Sequence, residues 1–192
     1  MSVEQSILVV AATSRELATP AHCRTLVCGV GPVDAAAATA AALAAHRPAA
    51  LLHVGIAGAR GASGLLPGTV VIGSLARYCD LNVPSQWAPV EVRPDSALVE
   101  AARRVLPGAP VLPIGTSARV GGTTGCDVEA MEGFAVLRAA ELAGVPALEV
   151  RAISNHIEEP DRALWRFDDA FAAITETTRS LVPALLRTLL SA

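Results

Sequence analysis

The stretch from Glu132 to Asn155 indicates an α/β fold, because it joins a helix pattern to a buried-strand pattern. Residues 132–142 carry apolar side chains at three- and four-residue steps and stop before Gly144, which is typical of a helix with a glycine cap. Residues 145–153 form a mostly apolar, β-branched run, as in a strand covered on both faces. In open α/β sheets the ligand crevice lies beyond the carboxyl ends of the strands. We therefore expect Glu132, at the helix start, and Asn155, just past the strand, to face one pocket.

Short apolar runs and helical patterns alternate through the rest of the chain. They predict strands at 7–12, 24–28, 50–54, 68–73 and 111–120, further helices at 32–45 and 95–105, and an irregular loop at 82–93. The expected architecture is a three-layer α/β/α domain with a central mixed sheet. At 192 residues and 52% hydrophobic content, the chain is long enough to form one such domain, residues 1–192, with a substantial core.

Charge and composition argue against several functions. The net charge is −3, the 15 basic residues include no basic run, and aromatic residues make up only 3% of the chain, so we expect no nucleic-acid partner. No cleavable leader or membrane-length apolar run is evident, which predicts a soluble cytoplasmic protein that does not bind membranes. The four cysteines form no Cys-x-x-Cys pair and have no histidine at metal-finger spacing, so we expect reduced thiols and no metal or organic cofactor.

Two other predicted strands also lead into candidate site residues. Glu16 follows the strand at 7–12, and Ile56, Ala57 and Gly58 lie in a predicted turn after the strand at 50–54. The small residues of this turn let backbone amides approach a ligand closely, although a plain βα turn has the same composition. Structural alternatives remain for the other candidates too, since a glutamate favours a helix start and an asparagine often caps a turn.

Four short motifs resemble the purine nucleoside phosphorylase and nucleosidase superfamily. They are Met131-Glu132-Gly133, Gly144-Val145-Pro146, Arg151-Ala152-Ile153-Ser154-Asn155, and Pro160-Asp161-Arg162 with Trp165. Within the superfamily they are most similar to the futalosine hydrolases, whereas methylthioadenosine and S-adenosylhomocysteine nucleosidases usually carry aspartate at the place of Asn155. The resemblance implies that the enzyme forms a homodimer or a higher homo-oligomer.

The resemblance also implies a role for each candidate residue. Met131 and Glu132 would hold the ribose, Ser154 and Asn155 would meet the purine, and Glu16 would position the attacking water. The turn containing Ile56, Ala57 and Gly58 would lie near that water and the ribose.

One region departs from the superfamily pattern. Relatives commonly have a helix of roughly ten residues before the Met-Glu motif, whereas here Gly125 leads almost directly into Cys126-Asp127-Val128-Glu129. That segment often supplies the side chain that stacks on the base. No stacking residue can be assigned from the sequence, and Val120 is a candidate.

The expected reaction is hydrolysis of the N-glycosidic bond of a small-molecule purine nucleoside. The resemblance implies futalosine, cleaved to hypoxanthine and dehypoxanthine futalosine in menaquinone biosynthesis. An amide at Asn155 suits this substrate, because a 6-oxopurine offers acceptors at both O6 and N7. Three alternatives remain: a methylthioadenosine/S-adenosylhomocysteine or aminodeoxyfutalosine nucleosidase, a phosphorylase, which Glu16 disfavours by repelling phosphate, and a non-catalytic nucleoside-binding protein.

Three side chains near the site strand have open roles. Arg162 or Arg166 is a candidate partner for the substrate's benzoate carboxylate, because a guanidinium fork matches a carboxylate. A surface ion pair between Glu158 and Arg162 is the favoured alternative for Arg162. His156, next to Asn155, is a weaker candidate for substrate contact.

Overall fold

The computed structural model describes residues 6–84 and 86–191, so the predicted loop at 82–93 contains one position, Ser85, outside the described residues. Strands are β1 (Ile7–Ala11), β2 (Cys23–Val27), β3 (Ala50–Ala59), β4 (Val70–Tyr78), β5 (Glu91–Val92), β6 (Val111–Thr116), β7 (Val128–Ala130) and β8 (Ala147–His156). Helices are α1 (Pro32–Ala45), α2 (Ser96–Val105), α3 (Gly133–Ala143) and α4 (Phe167–Leu190). Short 3₁₀ turns lie at Ser14–Glu16, Gly61–Ser63 and Arg162–Leu164.

The strands form one mixed sheet, as predicted. Its order is β2-β1-β3-β7-β6-β4-β5, and β8 pairs with both β3 and β4. Strands β1, β2, β3 and β8 are parallel neighbours, whereas β7 is antiparallel to β3, and β8 and β5 are antiparallel to β4. Because β6 pairs with β4 and β7, the five strands β3, β8, β4, β6 and β7 close into a ring.

Two helix layers cover the sheet, which confirms the three-layer α/β/α architecture. Side chains on successive residues of a strand point to opposite faces, so β1 contributes to two cores. Ile7 and Val9 belong to the core that contains residues of α2 and α4, whereas Leu8 and Val10 belong to the core of α1 and α3. Burial on both faces explains why β1 is apolar throughout.

The predicted helix ends agree with their caps. Asp95 precedes α2, and its Oδ1 accepts hydrogen bonds from the backbone N–H groups of Ala97 and Leu98. Helix α3 follows Glu132 and ends at Gly144, which has φ +65° in the left-handed region that glycine adopts without strain. Helix α3 therefore lies where the sequence predicts it, with Glu132 directly before its first turn.

Three strands run further than the sequence predicts: β4, predicted at 68–73, continues to Tyr78, and the extensions of β3 and β8 have one cause. Ile56, Ala57 and Gly58 lie within β3 and not in a turn, and Asn155 lies within β8 and not beyond it. β3 and β8 keep pairing as far as Ala59 and His156, with a register shift between Ala57 and Gly58. The predicted βα turn is thus wrong, and Gly58 instead leaves room for the side chain of Asn155, because an added Cβ there would lie 3.2 Å from Nδ2.

Other differences concern short or interrupted patterns. The strand predicted at 111–120 ends at Thr116, and the two-residue strand β5 lies inside the predicted loop at 82–93. Strand β7 and the 24-residue helix α4 are not among the predicted elements. Among the described residues, no helix is long and apolar enough to cross a membrane.

Candidate active site

A cavity of about 370 Å³ lies where β1, β3 and β8 end and α3 begins. These three strands are parallel, so their carboxyl ends meet at one edge of the sheet. All eight site residues predicted from the sequence line this cavity: Glu16, Ile56, Ala57, Gly58, Met131, Glu132, Ser154 and Asn155. The structure therefore brings them together, and their individual roles stay predictions.

Glu16 is a buried carboxylate with a fixed orientation. It closes the 3₁₀ turn after β1 and is 4% exposed. Its Oε2 accepts hydrogen bonds from the backbone N–H and the hydroxyl of Thr13, both at 2.8 Å, and its Oε1 accepts one from the N–H of Ile56 at 3.1 Å. Three donors thus hold the carboxylate between β1 and β3, where it faces the cavity as a hydrogen-bond acceptor.

Glu132 is held by a different set of donors across the cavity. Its Oε1 accepts a hydrogen bond from the N–H of Gly31 at 3.1 Å, and its Oε2 lies 3.4 Å from Nη2 of Arg151. Gly31 has φ +91°, a backbone conformation that favours glycine, so the turn before α1 can aim its N–H at the carboxylate. Glu132 can therefore accept hydrogen bonds from a ligand while its charge is balanced by Arg151.

Asn155 is oriented by its two neighbours in β8. The hydroxyl of Ser154 lies 2.7 Å from Oδ1 of Asn155, to which it donates, and 3.1 Å from the carbonyl of Ala57. Nδ2 of Asn155 donates to the carbonyl of His156 at 2.9 Å, an assignment that follows from this hydrogen-bond network. An amide nitrogen carries two N–H groups, so this geometry leaves one donor for a ligand in the cavity.

A buried charged cluster lies behind the cavity and was not predicted as part of the site. Arg151 is 1% exposed and its Nε donates to Oε1 of Glu149 at 2.9 Å. Its Nη2 contacts Nε2 of His53 and Oε2 of Glu132, and its Nη1 lies 3.5 Å from the carbonyl of Ile56. The available signal was the presence of Glu149 and Arg151 in a buried strand, since such charges are almost never fully buried unless paired.

Burial and mutual charge shift the pKa values in this cluster. Burial raises the pKa of Glu149, and the nearby Arg151 only partly offsets this effect. Burial and the positive charge of Arg151 hold the pKa of His53 well below its ordinary value. Burial alone would lower the pKa of Arg151, but the carboxylates of Glu149, Glu132 and Glu16 outweigh it and raise that pKa. His53 is therefore neutral and Arg151 is charged at neutral pH.

An aromatic wall, defined as Trp165, Phe167 and Phe171, lines another part of the cavity. Ring centroids lie 5.4 Å apart for Trp165 and Phe167 and 6.2 Å apart for Phe167 and Phe171. Cζ of Arg15 lies 4.4 Å from the centroid of Phe171, within cation–π range, and Arg15 also lines the cavity. Trp165 belongs to one of the four sequence motifs, but neither it nor the i,i+4 pair Phe167 and Phe171 was predicted to line the site.

The shortened segment before β7 forms a loop over residues 117–127, with no helix there. Glu129 ties this loop down: its carboxylate accepts hydrogen bonds from the N–H of Gly121 at 2.6 Å and from the N–H and hydroxyl of Thr123 at 2.9 and 2.8 Å. Val120, the candidate base contact, lines the cavity and is 44% exposed. The loop therefore bounds the cavity on the side of Val120.

The remaining candidates lie outside the cavity lining. Nε2 of His156 lies 3.3 Å from the carbonyl of Leu65. The expected Glu158–Arg162 ion pair is wrong, because Glu158 accepts a hydrogen bond from the N–H of Gly61 and lies near Arg60. The segment is not helical there, so the i,i+4 argument does not apply.

The two arginines of this segment have local partners. Cζ of Arg162 lies 5.5 Å from the ring centroid of Trp165, and Nη2 of Arg166 lies 2.6 Å from Oδ2 of Asp169. In the described part of the chain, no group of three His, Cys, Asp or Glu side chains is placed to hold a metal ion.

Comparisons with known proteins agree with the motifs. Residues 21–190 match the family model of the phosphorylase superfamily. The chain is 37% identical to a futalosine hydrolase of Streptomyces coelicolor, covering 83% of this chain and 78% of the relative. It is 35% identical to a futalosine hydrolase of Acidothermus cellulolyticus, covering 78% of this chain and 73% of the relative.

A solved structure has the same fold at lower sequence identity. It is the 5′-methylthioadenosine/S-adenosylhomocysteine nucleosidase of Neisseria meningitidis in complex with methylthio-immucillin-A, with a TM-score of 0.79 and 20% identity, covering 93% of this chain and 98% of that one. Together with the sequence matches, this shows that the chain belongs to the phosphorylase superfamily, as an enzyme of the nucleoside hydrolase type.

Proposed function

We propose that this enzyme hydrolyses the N-glycosidic bond of a purine nucleoside, and that the nucleoside is futalosine, cleaved to hypoxanthine and dehypoxanthine futalosine. The observation that carries the proposal is the convergence of Glu16, Glu132 and Asn155 on one cavity. These three groups correspond to the three needs of the reaction: a water, a held ribose and a bound leaving base. The futalosine hydrolases among the relatives support the choice of substrate.

The reaction needs a nucleophilic water beneath the anomeric carbon, because the transition state resembles an oxocarbenium ion. Glu16 orients and deprotonates this water, and its three fixed hydrogen bonds keep the carboxylate in position for that task. Glu132 accepts hydrogen bonds from the ribose hydroxyls, and Met131 packs against the sugar. An anionic Glu16 at the nucleophile position also repels phosphate, which favours hydrolysis over phosphorolysis.

The amide of Asn155 favours a 6-oxopurine as the leaving base. Its free N–H can donate to O6 or N7, both of which are acceptors in hypoxanthine. An aspartic acid at this position would instead supply an acidic proton to N7 of adenine. The fixed orientation of the amide, between Ser154 and the carbonyl of His156, supports a binding role with a defined donor.

The aromatic wall and Arg15 suit the benzoate group of futalosine. Planar aromatic side chains favour stacking on an aryl ring, and a guanidinium favours a carboxylate. Arg15 lines the cavity, whereas Arg162 and Arg166, the two candidates that the sequence offered, do not. We therefore place the carboxylate beside Arg15 in this proposal.

Base release by the purified protein tests the proposal. Futalosine, aminodeoxyfutalosine, methylthioadenosine and inosine are each incubated with and without phosphate, and the free base is quantified. Phosphate-independent release of hypoxanthine from futalosine is expected. Strict phosphate dependence would make the enzyme a phosphorylase, preferred release of adenine would overturn the base assignment, and nucleoside binding without release would indicate a binding protein.

A matched pair of variants attributes the activity to the site. Glu16→Gln keeps the size of the side chain and removes its charge, so the rate of hydrolysis is expected to fall by about 10²- to 10⁴-fold. Glu100→Gln alters an exposed carboxylate of α2 that pairs with Arg104, and activity should be unchanged. Equal activity of the two variants would contradict the role of Glu16.

A further inference from the structure

Glu149 is a buried carboxylate for which the mechanism above has no use. It is 1% exposed near the start of β8 and does not line the cavity. Its Oε1 accepts the hydrogen bond from Nε of Arg151, whereas its Oε2 has no hydrogen-bond partner among the described residues. Burying an ionisable group with half its hydrogen-bonding capacity unmet is costly, so its presence needs a reason.

The surroundings of Arg151 provide that reason. Nδ1 of His53 lies 3.0 Å from the carbonyl of Val10, so this nitrogen carries the proton and Nε2 is free to accept from Arg151. Glu149 fixes Nε of the guanidinium and His53 fixes Nη2. Because the guanidinium is planar, these two contacts fix the whole group, including Nη1.

The fixed guanidinium lies between the two carboxylates of the proposed reaction. Nη2 faces Oε2 of Glu132 at 3.4 Å. Nη1 and Oε1 of Glu16 both lie beside Gly55, where an added Cβ would clash with Nη1 and lie 2.9 Å from Oε1. The position of Arg151 thus affects the carboxylate of Glu132, which holds the ribose, and that of Glu16, which acts on the water.

Gly133 shows that the packing is shaped around Glu149. A Cβ at this first position of α3 would overlap both carboxylate oxygens of Glu149. Because Gly133 has no side chain, the carboxylate of Glu149 fits directly behind it, one residue away from Glu132. The cluster is therefore built into the junction between α3 and β8.

We propose that Glu149 is a positioning residue that acts through Arg151: together with His53 it sets the guanidinium so that Glu132 and Glu16 keep their working orientation. The proposal rests on the proposed hydrolase function. It differs from simple charge neutralisation, in which any anion near Arg151 would do.

Two conservative variants separate these roles. Glu149→Gln keeps an acceptor oxygen at the same reach and removes the charge, whereas Glu149→Asp keeps the charge and shortens the reach by one methylene. Positioning predicts that Glu149→Gln retains kcat within about threefold and that Glu149→Asp loses about 100-fold in kcat with a smaller change in KM, the effect of an approximately 1 Å displacement. Glu141→Asp, at an exposed position of α3, is the matched control and should leave kcat unchanged.

The opposite order, with Glu149→Asp active and Glu149→Gln inactive, would overturn the proposal in favour of charge neutralisation. Equal losses in both variants, or lower thermal stability with unchanged kcat, would also overturn it. Failure of Glu149→Gln to fold would do the same, since it would make the role structural.

A readout without turnover keeps this test separate from the proposed function. The imidazole ¹⁵N signals of His53 report whether its Nε2 still accepts from Arg151. They should be the same in the native protein and Glu149→Gln and shifted in Glu149→Asp. If the native protein released no base from any nucleoside, the proposed function would fail, while these signals would still decide whether Glu149 positions Arg151.

Discussion

Replacing Asn155 by aspartate should exchange the preferred base. In the native protein, Nδ2 of Asn155 donates to the carbonyl of His156 at 2.9 Å. A protonated aspartic acid has only one donor, its O–H, where the amide has two, so the carbonyl of His156 and an acceptor of the 6-oxopurine cannot both be satisfied. Leaving a buried acceptor unsatisfied costs about 1–3 kcal/mol, which corresponds to a loss of about 5- to 150-fold in kcat/KM.

The assay compares futalosine with aminodeoxyfutalosine, which carry the same 5′ substituent and differ in the base. For Asn155→Asp, kcat/KM for futalosine should fall by that factor. The ratio of the two substrates should move towards the adenine-bearing one, because a protonated carboxyl can supply N7. Asn82→Asp, at an exposed position, is the control and should leave the ratio unchanged. An unchanged ratio in Asn155→Asp, with the protein folded, would refute the argument that this amide selects the base.

Three further changes test other parts of the site. Glu16→Gln should lower kcat for base release by about 10²- to 10⁴-fold while hypoxanthine affinity, measured by calorimetry, stays within a few-fold; residual activity above one tenth would contradict general-base catalysis. Arg15→Gln should raise KM for futalosine about fivefold, a modest factor because Arg15 is exposed, whereas Arg162→Gln should leave KM unchanged. If Arg15→Gln had the same KM as the native protein, Arg15 would have no role in substrate binding. Because the pKa of His53 is lowered in the native protein, the unfolded chain binds a proton below pH 6.5 that the native protein does not bind. The free energy of unfolding should therefore fall as the pH drops below 6.5, by up to about 1.4 kcal/mol per pH unit. The free energy of unfolding is measured by urea titration at several pH values between 5 and 7. Its dependence on pH should be weaker for His53→Asn than for the native protein and for the exposed-site control His46→Asn. An identical pH dependence in all three proteins would contradict the assignment.

The sequence was sufficient to predict that Glu16, Glu132 and Asn155 gather at one cavity, because the fold class places strand ends and helix starts at one edge of the sheet. Glu16 and Asn155 each stand at the carboxyl end of a buried parallel strand, and such ends share one edge of the sheet. Neither inference needs the exact strand boundary. For this reason the wrong boundary at Asn155 did not move it out of the site.

The charged cluster and the aromatic wall depend on contacts between distant segments, which a sequence pattern does not encode. Nothing in the local sequence pairs Arg151 with His53, which lies 98 positions away. The wall also required helix α4, whose pattern contains threonines and an internal proline, Pro183. Strand β7 has three residues, too few to show an alternation. The assignment of residues 1–192 to one domain, the homo-oligomer and the cytoplasmic location stay predictions.

The pairing of β3 with β8 has a consequence for how activity arises during refolding. Each of these strands carries part of the cavity, yet Ile56 and Ala152, which face each other in the register, are separated by almost half of the chain. Closing such a long loop is entropically unfavourable, so contacts of this kind form slowly compared with local helices. A chain with its helices formed but without this pairing would have Glu16 and Asn155 far apart. The delay between dilution from denaturant and the start of base release would therefore measure how long the two halves of the sheet take to pair.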